Sequence, residues 1–296
     1  MKYWLLLTIL LASHDLLIAQ QKAGPPARVV GAENLPTDKK EQEALRDLHD
    51  LDILRTRDKD LAGMQEIYAK PSKDNIAILA PSVESASPYA KFLKQKDTGM
   101  IKLNANEHCS QNAEVVSGDG TCAKYKIPGG GTAFSFRYGS YRILRLSDLI
   151  LKKDVFKTDG VLQQGIMADL GDVPIESINA DSKGLKFLTS FRPASTKFEL
   201  DKMDRDFLKG VEADGYLYRI GFFVEKGHTY ALRSIAFAGS FMRSVNGRQY
   251  DELMFDKRQD VLVTFKVIAI DPNGDVTIVW HLLDRSDAPR LKAISD

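Results

Sequence analysis

Hydrophobic residues along this chain follow three different patterns. Leu45, Leu48, Leu51, Leu54, Leu61, Met64 and Ile67 recur at three- and seven-residue intervals, which is the spacing of one helical face. Asp38 with Glu41 gives a variant of the capping box, and Pro71 closes the run. An amphipathic helix is therefore expected over 38–69, broken near Gly63. Its charges (Lys39, Lys40, Arg46, Asp47, Arg55, Arg57, Asp58) are read as a solvated face. The sharper alternative is a helix near residues 38–69 that docks on a protein partner or on a second copy.

Beyond Pro88 the pattern changes to short β-branched and aromatic runs separated by Gly, Asn and Ser. Met100–Leu103, Ala123–Ile127, Ala133–Tyr138, Tyr141–Leu146, Val161–Leu170 and Leu185–Phe191 are expected strands, as is a short one over Ile76–Ala80. Asp201–Val211 is polar enough for a short helix or a connecting loop. Two hairpins are expected in the C-terminal third. One joins Tyr216–Val224 to His228–Phe237 through Glu225-Lys226-Gly227. The other joins Val261–Ile270 to Asp275–Leu283 through Asp271-Pro272-Asn273-Gly274, where Asn-Gly is a strong hairpin signal. Val261–Ile270 is apolar on both faces, as a strand between two layers must be. The expected fold is α+β and β-dominant: an N-terminal amphipathic helix plus antiparallel sheets, sandwich-like or a partial barrel.

A third pattern is a single apolar block, Trp4–Ala12, behind Lys2. With Leu17-Ile18-Ala19 it has the layout of a secretory signal peptide cleaved after Ala19. The rival, a retained anchor, is disfavoured because a spanning helix needs about 20 apolar residues and this stretch carries His14 and Asp15. No Cys follows to take a lipid. Residues 20–36, with Pro and Gly and no apolar period, read as a flexible tether. The segments are then 1–19 signal peptide, 20–36 tether, 37–200 helix plus first β region, and 201–296 C-terminal hairpin region, the last two either separate or one domain. The mature chain is expected to be exported, periplasmic or extracellular, with no integral membrane association. Asn-x-Ser/Thr is absent, which favours a bacterial source.

Composition narrows the partners. The hydrophobic share of 44% suffices for a core, and the net charge is +1. Removing residues 1–19 takes away Lys2 and Asp15 and leaves that charge unchanged. Such balance gives no electrostatic reason to expect nucleic acid. Cys109 and Cys122 in an exported chain are expected to form a disulfide across a turn-rich loop. They lack both C-x-x-C redox spacing and the histidines of a zinc site.

Gly227-His228-Thr229-Tyr230-Ala231-Leu232-Arg233-Ser234, Asp260-Val261-Leu262-Val263 and Gly274-Asp275-Val276-Thr277-Ile278-Val279-Trp280 resemble a pattern in exported bacterial β-rich proteins of unassigned function. Gly129-Gly130-Gly131 with Ser135-Phe136, and Leu170-Gly171-Asp172-Val173-Pro174, are similar to the same group. The resemblance covers about half of the mature chain in strand and turn residues. It implies export and transfers no activity.

Candidate chemistry is sparse. Gly129-Gly130-Gly131-Thr132 lacks the Lys of a phosphate loop and the preceding His of an esterase oxyanion loop, so a turn or bulge is expected. No G-x-S-x-G or S-x-x-K motif is present. His49, His108, His228 and His281 are too far apart in sequence for a local metal motif. Asp201, Asp204 and Asp206 cluster, and Asp271 and Asp275 flank a turn that lacks the Gly and Glu of a calcium loop. No cofactor and no metal are expected. Asp169, Asp172 and Glu176 are the candidate catalytic carboxylates, because paired acids serve glycoside hydrolysis. The leading expectation is a non-catalytic binding or structural protein of unknown ligand; the alternative is an extracytoplasmic carboxylate-dependent hydrolase.

Overall fold

The structure is a computed structural model that describes residues 47, 48, 51 and 70–292, apart from 112–121, 123 and 246–247. The chain divides into two units, 1–58 and 59–296. In the first, Asp47, Leu48 and Leu51 are helical and exposed. The expected signal peptide, the expected tether and the remainder of the helix expected over 38–69 lie outside the described residues.

The second unit is β-dominant and built on antiparallel sheets. A seven-stranded sheet runs in the order β1 (Thr98–Leu103), β14 (Val276–Asp287), β13 (Gln259–Ile270), β10 (Thr229–Ala236), β6 (Gln163–Asp169), β8 (Tyr216–Arg219) and β7 (Val211–Ala213). It therefore takes strands from both sides of residue 200. A five-stranded sheet runs β3 (Ser140–Tyr141), β2 (Ala133–Ser135), β4 (Leu149–Lys152), β5 (Val155–Lys157) and β9 (Gly221–Phe223), and β11 (Met242–Val245) pairs with β12 (Arg248–Asp251). Among the described residues no sheet closes on itself, and the arrangement is an open sandwich.

One face of the large sheet meets the five-stranded sheet in an aromatic core. Tyr230, Val263 and Phe265 pack there with Phe134, Phe136 and Phe156. The Phe265 ring lies stacked on Tyr230 and edge-on to Phe156. The other face carries two helices, α3 (Lys186–Ser190) and α4 (Lys197–Lys209), which follow the short α1 (Lys73–Ala77) and α2 (Val83–Ala86). Leu262 and Ala231 face Leu188 and Phe207 on that side. Alternate residues of β13 thus enter different layers, and this explains why the strand is apolar on both faces.

α4 forms because Thr196 accepts from the Glu199 amide at 3.1 Å while the Glu199 carboxylate accepts from the Ser195 amide at 2.7 Å. Gly210 ends it in a positive-φ conformation. The β13–β14 hairpin forms as expected, but its loop is a four-residue turn with only Gly274 at positive φ, closed by Gly274 N–H donating to Asp271 O at 2.8 Å. The Gly129–Gly131 run has three successive positive φ values. A Cβ at Gly130 would sit 2.2 Å from the Cys109 carbonyl oxygen. Close packing against the disulfide segment accounts for this glycine.

Several local expectations are corrected. Tyr216–Val224 does not pair with His228–Phe237, because β6 stands between β8 and β10. The segment instead crosses at Ile220 into the five-stranded sheet, where β9 pairs with β5. Leu185–Phe191 and Ile76–Ala80 hold helices rather than strands. Leu185 and Leu188 are buried at helical spacing, a three-residue period that a short apolar run does not distinguish from a strand. Ala123–Ile127 forms no strand among its described residues; Tyr125 N–H donates to Cys122 O in a turn beside the disulfide.

Candidate functional site

The three candidate carboxylates fall at one end of the seven-stranded sheet. Asp169 is the last residue of β6, Asp172 lies in the loop after it, and Glu176 is on the 3-10 turn Ile175–Ser177. His228 stands next to them at the start of β10. Its Nδ1 lies 2.9 and 3.1 Å from the two oxygens of Asp169. The Gly171 amide donates to the same carboxylate at 2.8 Å. The imidazole is 35% exposed and Asp169 25%, so the pair is partly open to solvent. An aspartate that receives Nδ1–H orients the ring and leaves Nε2 to accept a proton.

Asp172 is committed elsewhere. Lys266, from the middle of β13, donates to its Oδ1 at 2.7 Å and to the Val173 carbonyl at 3.2 Å, and also bonds the Gly227 carbonyl. The Lys266 hydrogen bond and charge hold the Asp172 carboxyl below its ordinary pKa, and His228 adds to this. Tyr89 approaches from the segment after α2. Burial, then the charges of Glu176 and Asp172, raise its phenol pKa. Lys266 and Tyr89 had no part in the sequence expectation. A lone Lys inside an apolar strand was the available signal for the first.

Among the described residues, the hydroxyls that follow His228 on β10 and those of two core serines are engaged elsewhere. Thr229 Oγ1 donates to the Val173 carbonyl at 2.6 Å, and Tyr230 donates to Phe223 O at 2.9 Å. Ser135 and Ser234 donate to Asp148 inside the core, at 2.9 and 2.7 Å. A bound water is the nucleophile that this geometry could serve.

The remaining candidates have structural partners. Cys109 and Cys122 form a disulfide. Asp201 and Asp206 pair with Lys197 and Lys202 on α4. Asp271 pairs with Lys102 at 2.8 Å, and Asp275 accepts from the Ala105 amide. His281 lies edge-on to Phe92, and burial lowers its pKa. His108 is exposed beside the disulfide; His49 is outside the described residues. Among the described residues no group of three or more His, Cys, Asp or Glu could hold a metal ion. A cavity of about 310 Å³ lies elsewhere, lined by Ala105, Lys153, Asp154, Val224, Ile270 and Asn273 among others.

A second polar cluster lies within the core. Arg137 donates through Nε to Asp148 (2.8 Å), through Nη1 to Asp256 (2.8 Å) and Lys257 O (3.0 Å), and through Nη2 to Gln163 (3.2 Å) and Leu146 O (3.3 Å). Arg137, Asp148 and Asp256 side chains are wholly buried. Burial opposes the charge of Arg137, but Asp148 and Asp256 outweigh it and hold its pKa above the ordinary value. With all five N–H donors used, this guanidinium has nothing left for a ligand.

The fold and this site define an open antiparallel sandwich with a half-exposed histidine–aspartate pair at one end. No protein-family model, curated protein or solved structure matches the chain.

Proposed function

We propose that this is an exported, non-catalytic binding or structural protein of the bacterial envelope or extracellular space. The observation that carries the reading is the engagement of two of the three candidate acids by protein partners: Asp169 by His228 and Gly171, and Asp172 by Lys266. Glycoside hydrolysis needs one carboxyl kept protonated beside one kept ionised. Asp172 is held in the ionised form by Lys266. The disulfide is consistent with an oxidising compartment, and among the described residues no helix is long and apolar enough to cross a membrane. The helix expected over 38–69 is the proposed docking or self-associating element.

A second reading, an extracytoplasmic hydrolase, draws support from the Asp169–His228 contact. In that form the base is His228, with Asp169 as its orienting partner and water as nucleophile. One experiment separates the two. Purified protein is assayed against chromogenic acyl esters and glycosides beside H228Q and D169N. The non-catalytic reading expects the three to be indistinguishable; turnover lost in both variants would establish the hydrolase. Export is tested by N-terminal sequencing of the protein recovered outside the cytoplasm. The expected first residue is Gln20, and an intact Met1 in the cytoplasm overturns it.

A further inference from the structure

The inward stripe of α4 consists of Leu200, Met203 and Phe207, which pack against the seven-stranded sheet. Asp204 shares this face, at a position where helical spacing asks for an apolar residue. Opposite it, on β6, is Gln164, which is wholly buried. Gln164 Nε2 donates to Asp204 Oδ1 at 3.3 Å, and Gln164 Oε1 is buried with no hydrogen-bond partner. An ionised carboxylate only accepts, so it cannot satisfy that oxygen. A neutral carboxyl has an O–H to donate. It would close a ring with the amide, one N–H···O and one O–H···O, and satisfy both groups.

We propose that Asp204 and Gln164 form a pH-sensitive latch: protonation of Asp204 closes an acid–amide ring that fastens α4 to the seven-stranded sheet, and deprotonation loosens it. The charged groups around Asp204 favour this. Asp159, before β6, and Asp201, one turn back on α4, disfavour a second negative charge, while Lys197 opposes them and is itself paired with Asp201 at 2.5 Å. Burial is the largest influence and raises the Asp204 pKa from 3.8 to about 6, against the Gln164 hydrogen bond. The sign follows from linkage. A folded pKa above the unfolded one adds stability that is full below the unfolded value and lost as pH rises through the folded value. The latch is therefore closed near pH 4 and open above about pH 7.

Hydrogen exchange of α4 amides, corrected for intrinsic rates, tests this on the full chain. Taken whole, the shift is worth about a hundredfold; between pH 5 and 7.5 only about tenfold of it is traversed, and solvent contact of the carboxyl lowers the expected protection ratio to about three- to fivefold. D204N supplies a permanent donor to Gln164 Oε1, so its α4 protection is expected to be high and equal at both pH values. Carboxyl ¹³C NMR of the unmodified protein gives a second reading, with Asp204 titrating near 6. An Asp204 pKa near 4, or α4 protection whose pH dependence survives in D204N, overturns the proposal.

Discussion

Replacing Arg137 is the most severe test of how the core is held together. Its five donors meet Asp148, Asp256, Gln163 and the carbonyls of Leu146 and Lys257. Asp148 in turn accepts from Ser135, Ser234 and the Arg137 amide. In R137K the charge remains, but an ammonium has three donors, so two of the five acceptors are left dry. At about 1–2 kcal/mol for each unsatisfied buried group, R137K should cost about 2–4 kcal/mol. R137M removes the charge and leaves Asp148 without its cation. Breaking a buried pair in this way costs about 3–5 kcal/mol. Asp256 is less affected, because Arg258 also reaches it at 2.7 Å. Urea unfolding followed by circular dichroism at pH 7 measures both variants, and R137M/D148N completes the cycle. The double variant should lose less than the sum of the two singles, since D148N removes the charge that R137M strands. An R137K within about 0.5 kcal/mol of the parent would refute the donor accounting.

Removing the disulfide with C109A/C122A opens a loop with a sequence separation of 13. The chain-entropy estimate is a loss of about 3 kcal/mol, read from the urea midpoint; an unchanged midpoint would contradict it. G130A places a Cβ 2.2 Å from the Cys109 carbonyl at φ +59. It should cost about 2 kcal/mol or more by thermal unfolding, and a native Tm would show that the segment yields. K266M frees Asp172 from the ammonium that depresses its pKa. A depressed carboxyl adds stability above its unfolded pKa and loses it as pH falls. K266M should therefore raise the Asp172 pKa by NMR and flatten the acid limb of the stability curve; an unmoved carboxyl resonance would exclude Lys266 as the cause. His281, whose pKa burial lowers from 6.5, favours the fold above that pH and loses the benefit as pH falls. Its imidazole resonances should titrate below 6.5. This opposes the Asp204 effect, which is why local protection of α4 is the sharper readout for the latch.

Sequence legibility follows from how local each element's cause is. β13 and β14 are long β-branched and apolar runs joined by a turn with Gly at its end, so the hairpin is readable without the rest of the molecule. The pairing of β8 is not, because β6, distant in sequence, stands between β8 and β10 and only the sheet order shows it. α4 was readable in principle: Thr196-Lys197-Phe198-Glu199 is a capping box, and Leu200, Met203, Phe207 keep helical spacing. The Asp201, Asp204 and Asp206 acids masked it as a polar stretch. At the candidate site, Asp169, Asp172 and Glu176 were visible because they lie close together in the chain. Lys266 comes from a strand 94 residues beyond Asp172, and no local pattern announces such a partner.

The charged knots of the sandwich differ in what they leave over. Arg137 spends every donor inside the core. Arg233 divides its donors between Asp260 and the carbonyls of Leu188 and Phe191, binding the end of α3 to the sheet. Arg258 ties Asp256 to the carbonyls of Val161, Leu162 and Phe237. These guanidiniums link segments far apart in sequence, and replacing them should change stability and loop order. His228 differs in kind. Asp169 fixes one ring nitrogen, while the side chain as a whole stays 35% exposed. A structural histidine could be replaced by Gln with the Asp169 hydrogen bond kept and nothing else changed. If H228Q retains stability but alters ligand binding or turnover, the imidazole is a functional group; if it alters stability alone, this end of the sheet is one more fastening.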